Sequence, residues 1–399
     1  MTPKNAADQT AADAANLLLR LGQVVAFVVA PAALLLSQRS IFILTPIAGA
    51  LILAGGMVLA PRMRMRDLFG FVASPIGLAA LFLSFWALAS LLWTPFPAEA
   101  APRLLKIFST FLAILPVAAA LPARSKAAYL YLLPLGVALA AVGALVLGAP
   151  FFSDPDDAEN NEILRRAAQA MLILLWPALA ATALRDRLTL SGSLAIVALT
   201  AAISVHIPSA LAATALGTLA FAAARSDPRR VGRWIGALFA GCFVFAPALP
   251  LLFGPFLGSD ATGPLQSLKL WHGMIVNDGF RLLAGHGFNF VGSGFMRGYL
   301  PVHAPHSMLF EAWTDLGMVG ALGGGALIYL CFKTAAAESP RLSPYWLGGL
   351  TYVTAMGVFG AATLQLWWIT ALALGLGAFI VARRGDYKTD RPTAPKQAA

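Results

Sequence analysis

What most limits the fold of this chain is a succession of long apolar runs from one end to the other, each bounded by a few basic or helix-breaking residues. They lie near residues 17–36, 41–60, 75–94, 103–121, 128–149, 168–184, 189–206, 208–224, 232–253, 306–333, 344–362 and 364–382. Each is long enough, as a helix, to cross about 30 Å of hydrocarbon. Backbone in lipid must satisfy its own hydrogen bonds, so runs of this kind are expected to be helical. The spacing predicts an all-α polytopic membrane protein of about twelve transmembrane helices. Composition agrees, because a chain of 399 residues that is 59% hydrophobic and 12% charged is too apolar to hide its surface in one soluble core. The first sixteen residues are polar and Ala-rich, and no small-residue cleavage site follows, so the first run is expected to be retained as a span.

The formal charge is +10, but the basic residues punctuate the apolar runs and form no basic and aromatic stripe on a soluble domain. That excludes nucleic acid as the expected partner and points to membrane lipids and topology. Taking the connections alternately, one side carries Lys4, Arg20, Arg62, Arg64, Arg66, Arg124, Lys126, Arg185, Arg187, Arg225, Arg229, Arg230, Arg233, Lys333, Arg341 and the cluster from Arg383 to Lys396. The other side has Arg39, Arg103, Lys106, Arg165, Arg166, Lys269, Arg281 and Arg297, eight of the 28 basic residues. The positive-inside rule then makes both termini cytoplasmic and turns the second set outward. Four segments result: an N-terminal bundle over 1–253, a long outer loop over 254–305, C-terminal spans over 306–382 and a cytoplasmic tail over 383–399. Cys242 and Cys331 fall inside apolar runs and supply no disulfide or metal framework.

Two outer connections are more than turns. Residues 150–167 are acidic and then basic. The 254–305 loop holds Trp271, Phe280, Phe288, Phe290, Phe295 and Tyr299, too aromatic for a disordered segment. Within it, Leu265, Leu268, Trp271 and Ile275 share one face of a short amphipathic helix expected to lie on the membrane surface.

The richest segment is LPVHAPHSMLFEAWTDLGMVGALGGG, from Leu300 into the tenth run. A helix over 306–333 would be about 42 Å long, so one or two turns should project from the lipid and set His306 at its outer mouth. His306, Trp313 and Gly320 are heptad-spaced, and Ser307, Glu311 and Asp315 form a polar stripe at four-residue steps. An ionised Asp315 at that depth needs a partner or a wet cavity. Taken alone, His306 reads more simply as an interfacial histidine, and the glycines as close helix contacts. His303 and His306 are spaced like a metal pair, but Pro305 interrupts any helix through both. Asp154, Asp156 and Asp157 read more simply as a solvated acidic loop than as a cation site.

These residues resemble the signature of the O-antigen ligase and polymerase family of integral-membrane glycosyltransferases: a histidine usually followed by Asn, an acidic residue nine positions on, then Gly-x-x-Gly. The matching positions are His306, Ser307, Asp315, Gly317 and Gly320, with Ser307 in place of the common Asn. Upstream, LWHGMIVNDGFRLLAGHGFNF is similar to the family's Trp-containing helix and Gly-x-Gly-aromatic turn, matching at Trp271, Gly285, Gly287 and Phe288. Ser267 and Lys269 stand where relatives often carry Arg.

The resemblance implies a bacterial inner-membrane enzyme of lipopolysaccharide biosynthesis, with its active site on the periplasmic face. It implies transfer of a glycan from an undecaprenyl pyrophosphate donor to an acceptor hydroxyl, without cofactor, nucleotide sugar or metal. The acceptor would be lipid A core for a ligase, the favoured reading, or a growing polysaccharide for a polymerase; a transporter of lipid-linked glycans is the rival from another class. His306 would take the hydroxyl proton. Arg166 and Arg165 are the first candidates to hold the pyrophosphate, then Arg281, Lys269 and Arg103, because a growing phosphate charge needs preorganised cations. Asp315, Ser307, Glu311 and Trp271 would support the site.

Overall fold

A computed structural model of the chain describes residues 6–59, 70, 72–122, 124, 126–149, 157–258, 262–360 and 365–387. Lys4, Arg62, Arg64, Arg66, Asp154, Asp156, Lys388, Arg391 and Lys396, used above in reading topology and acidic clusters, lie outside the described residues.

The described residues form helices joined by short connections, with no strand among them. In order they are α1 (Ala6–Val24, continued through a π-turn at Val25–Val29 into Ala30–Ala33), α2 (Ser40–Leu59), α3 (Pro75–Ala89), α4 (Pro97–Ala120) and α5 (Leu132–Leu147). Next come α6 (Ala158–Ala183), α7 (Leu188–Ser204), α8 (Pro208–Ala224), α9 (Pro228–Phe245) and α10 (Ala248–Phe253). The segment after these carries α11 (Pro264–Asn277), the single turn α12 (Arg281–Ala284) and α13 (Phe290–Met296). The chain closes with α14 (Met308–Ala336), α15 (Ser343–Val358) and α16 (Leu366–Arg384).

Local sequence explains the starts. Proline occupies the first turn of α3, α4, α8, α9, α11 and α15, where its missing N–H is no loss. Ser74, Asp157, Asp227 and Ser307 cap α3, α6, α9 and α14 by accepting a backbone N–H three residues on.

Among the described residues, eight helices are long and apolar enough to cross a membrane, or nine if α9 and the segment Ala248–Phe256, bent from it by 53°, make one span. The apolar helices α7, α8 and α15 have 17, 17 and 16 residues, about 25 Å each and short of the roughly 30 Å core. Length and composition alone therefore carry the all-helical membrane character but stop short of twelve spans. Large apolar side chains on the outside, among them Phe85, Leu105, Ile196, Leu219 and Trp234, are each more than 60% exposed. Lipid is the solvent that such a surface suits.

Three local expectations are corrected. The tenth run is not one straight helix, because backbone geometry at Gly317 (φ 67°, ψ −163°) breaks α14. Residues 318–336 make a rod of about 28 Å, and 308–316 form a separate entry segment. His306 precedes that segment instead of starting the helix, so the heptad face through His306, Trp313 and Gly320 does not exist. On α11, Trp271 and Ile275 pack inward in one cluster with Phe310 and Trp313; the apolar face is used within the protein, and only Leu265 is openly exposed, at 52%.

The connections gather into two groups. At one end, Gln38 meets Arg166, Thr94 meets Phe288 and Arg103 meets Asn289. At the other, Arg384 reaches the carbonyls of Ala118, Leu121 and Pro122, and Arg341 lies between Asp186 and Asp386.

Candidate functional site: a cationic cavity and a glycine clasp

The site is built on two chain segments that the sequence separates by some thirty residues. Gly285 and Gly287 both have positive φ (72° and 101°), which only glycine adopts without strain. They form the turn between α12 and α13 and lie directly on the backbone of α14. The N–H groups of His286 and Gly287 donate to the carbonyls of Thr314 and Asp315 at 2.8 and 2.9 Å. A Cβ on Gly285 would collide with the Asp315 carbonyl, and one on Gly317 with the Leu283 carbonyl. The break in α14 and the Gly-x-Gly turn are thus two halves of one clasp. Trp86 of α3 closes it from the side by donating its indole N–H to the Leu316 carbonyl at 2.9 Å.

Asp315 is 2% exposed, and its carboxylate has the partners that its depth demands. It accepts the N–H of Asn289 at 2.9 Å and of Val291 at 2.8 Å, capping α13 from another helix. Asn289, in the left-handed region (φ 65°), turns its side chain away: its Oδ1 accepts from Arg103 Nη1 at 2.6 Å and its Nδ2 donates to Ser293 Oγ at 2.8 Å.

Arg103 opens onto a cavity of about 580 Å³ lined by Phe42, Ala98, Glu99, Pro102, Arg103, Lys106, Arg166, Gln365, Leu366 and Trp367. Arg103 and Lys106 are one turn apart on α4, and Arg166 comes from α6. Arg166 is held by Glu162 at 2.9 Å and by Gln38, and lies 5.9 Å over the Trp367 ring. Glu99 is engaged by Arg297, itself 5.0 Å over Phe96. The lining therefore combines three cations with an apolar wall, and its one carboxylate is already paired. A cavity of this volume is of ligand size, and its chemistry suits a polyanionic group attached to an apolar body.

His306 does not line this cavity. Its exposed imidazole stacks on Phe295 (ring centroids 4.3 Å apart, planes at 16°). Gly292 of the same short helix lies against Arg103. Positions 292 and 295 share a helix face, so α13 has Arg103 and His306 along one side. Backbone at Gly360, five residues before Gln365 of the cavity wall, abuts the His306 carbonyl.

The other expected site residues fall elsewhere. Arg165 points to solvent from the face of α6 away from the cavity lining. Lys269 donates to the Gly258 carbonyl at 2.9 Å. Ser307 is a helix cap, Trp271 packs edge-on against Phe310 at 5.4 Å, and Glu311 is half-buried on the entry segment. Arg281 lies 3.8 Å from Asp278 at a second, much smaller pocket that also includes His286 and Trp313. There His286 Nδ1 donates to the Thr314 carbonyl at 3.2 Å. Burial lowers its pKa below the ordinary value, and nearby Arg281 lowers it further; the Thr314 bond and the Asp278 charge oppose the shift.

Lys106, Asn289, Gln365 and Trp367 were not among the expected site residues. Lys106 was within reach of the sequence, being three residues from Arg103 on a helix. Asn289 lies in the quoted GHGFNF stretch, but nothing local says which partner its side chain finds. Comparison with protein-family models and with curated proteins gives no match for this chain.

Proposed function

We propose that this protein is an integral-membrane glycosyltransferase that moves a glycan from a polyprenyl pyrophosphate donor to an acceptor hydroxyl. The observation that carries this reading is the cavity in which Arg103, Lys106 and Arg166 face Leu366 and Trp367. A pyrophosphate on an apolar chain presents the matching chemistry, and positioned cations stabilise the charge that develops on it as it leaves. In the step, the acceptor oxygen bonds to the anomeric carbon and the bond from that carbon to the pyrophosphate oxygen breaks. The electron pair leaves with the polyprenyl pyrophosphate, and the hydroxyl proton passes to His306. The motif resemblance and the stacked, exposed imidazole beside α13 support His306 in that role. Lipid A core as acceptor makes the enzyme an O-antigen ligase; a growing polysaccharide makes it a polymerase.

The reading includes twelve spans, cytoplasmic termini and a site on the periplasmic side of a bacterial inner membrane, supported by the charge asymmetry and by the two groups of connections. Single cysteines at Ser226 and at Val302, which is 91% exposed, in a chain lacking Cys242 and Cys331, should label oppositely with an impermeant thiol reagent. Position 302 should react from the periplasmic side. Labelling of position 226 alone from that side would invert the topology.

The function is tested with purified protein in nanodiscs, undecaprenyl-pyrophosphate-linked glycan and an added acceptor. Wild type should form covalent product, and His306→Ala should lose about 10²–10⁴-fold of single-turnover transfer with normal membrane abundance, the usual range for positioned acid–base catalysis. Movement of the lipid-linked glycan across the bilayer without covalent product would replace this reading with transport.

A further inference from the structure

Asn289 stands at the helix-start position of α13, where an Asn side chain ordinarily caps its own helix. Here it makes no such bond. Asp315 caps the helix from α14 instead, which leaves the Asn289 amide for another purpose. Its Nδ2 is committed to Ser293 Oγ at 2.8 Å, and this fixes Oδ1 toward Arg103 Nη1 at 2.6 Å. Asn289 and Ser293 are 1% and 0% exposed, so this amide is held in place by burial as well as by bonding. As a neutral acceptor it orients the guanidinium without cancelling its charge.

Gly292 supplies an independent observation. A Cβ there would lie 2.6 Å from both Arg103 Nη1 and Asn289 Oδ1, so the two groups meet in space that the missing side chain leaves open. The backbone of Gly292 is helical, and its φ does not require glycine. What requires it is the approach of Arg103.

We propose that Asn289 and Gly292 are positioning residues that set the Arg103 guanidinium in the cavity for the pyrophosphate group of the donor, with Asp315 anchoring the segment that carries them. The proposal deepens the reading of the cavity as an anion site and rests on it for the identity of the ligand, though not for the placement of Arg103.

Two measurements on the full-length protein in nanodiscs separate these parts. The first is the rate at which phenylglyoxal modifies Arg103, followed by peptide mass spectrometry without ligand. The second is binding of undecaprenyl pyrophosphate. Asn289→Gly keeps the left-handed backbone and removes the amide. Loss of a charge-assisted bond of this kind should speed Arg103 modification about tenfold and weaken binding by a similar factor. Gly292→Ala should do the same, because the methyl meets the Arg103 tip and the Asn289 oxygen where the two groups join, and thermal unfolding shows whether the fold is kept. Asn289→Asp should keep modification slow yet weaken binding, since it holds the guanidinium but offsets its charge. Wild-type modification rates in both Asn289→Gly and Gly292→Ala, with unchanged thermal unfolding, would overturn the proposal, as would wild-type binding in both. Faster modification in both variants, from a wild type that binds no undecaprenyl pyrophosphate, would uphold the placement of Arg103 and overturn the donor reading alone.

Discussion

The two ends of the helix bundle use arginine in opposite ways. At the end formed by Arg384, Arg383 and Arg341, the cations are spent on the protein. Arg384 donates to the carbonyls of Ala118, Leu121 and Pro122, Arg383 pairs with Glu338 at 3.3 Å, and Arg341 sits between Asp186 and Asp386. Those contacts tie the last helix and its tail to the loops beside them. At the other end, Arg103, Lys106 and Arg166 line a cavity large enough for a ligand; the amide oxygens of Asn289 and Gln38 help to orient the two guanidinium groups, and Arg166 also pairs with Glu162. The first pattern is how basic residues anchor a span end; the second brings three basic side chains to the lining of one cavity. Alternating the connections along the sequence would favour the side expected to hold Arg341, Arg383 and Arg384, because 20 of the 28 basic residues fall in that set. Geometry points to the poorer side.

Substitution tests this contrast most strongly at the cavity. Arg103→Ala and Arg166→Ala should each weaken binding of undecaprenyl pyrophosphate about 10–100-fold, the effect of losing a charge-assisted contact. Arg384→Ala should leave the affinity of folded protein unchanged and lower its thermal stability instead, because three carbonyl oxygens lose their donor. Equal loss of affinity from the two ends would erase the difference between them.

The next effect in size belongs to Asp315. Asp315→Asn retains one acceptor oxygen and places an NH₂ against a backbone N–H, so one buried donor at the start of α13 is left without a partner. That should cost about 1–3 kcal/mol, read as a lower unfolding temperature in detergent. Arg103 modification should also quicken, because the segment that carries Asn289 loosens. A destabilised Asp315→Asn protein with wild-type Arg103 reactivity would confine Asp315 to holding the fold.

The smallest expected effect is one of pH. Burial depresses the His286 pKa, so the folded state favours the neutral ring. Below about pH 6.5, the unfolded value, the unfolded chain binds a proton that the folded chain resists. The stabilisation is therefore present above that pH and is lost as pH falls through it toward the folded pKa. Thermal unfolding between pH 7.5 and pH 5 should show a drop in the wild type that His286→Asn reduces. An identical drop in both proteins would assign the pH dependence to other groups.

How much of this was legible beforehand differs between the fold and the site. The helical runs could be read directly, because a segment of that length and apolarity in lipid has no alternative way to satisfy its backbone. The Gly-x-Gly turn was legible only through the motif resemblance, and the need of Asp315 for partners through the cost of a buried charge. The break at Gly317 was not: a glycine inside an apolar run is compatible with an unbroken helix, and only the carbonyl of Leu283 and the N–H of Gly285 pressing against it give the kink a reason. The same holds for the cations. Arg165 and Arg166 are adjacent in sequence and differ by about 100° around a helix, so one lines the cavity and its neighbour faces solvent.

By itself, then, the sequence determined the apolar, helical class of the chain and the placing of basic residues between its apolar runs. These follow from solvation and from helix geometry, which act on a segment without reference to the rest of the chain. Tertiary structure alone decided that Arg103 meets Asn289 across 186 positions, that Asp315 caps a helix other than its own, and that Arg103, Lys106 and Arg166 share one cavity while Arg281 and Lys269 stay outside it. Contacts of that kind depend on which helix faces turn toward each other, and a local pattern of residues does not contain that information.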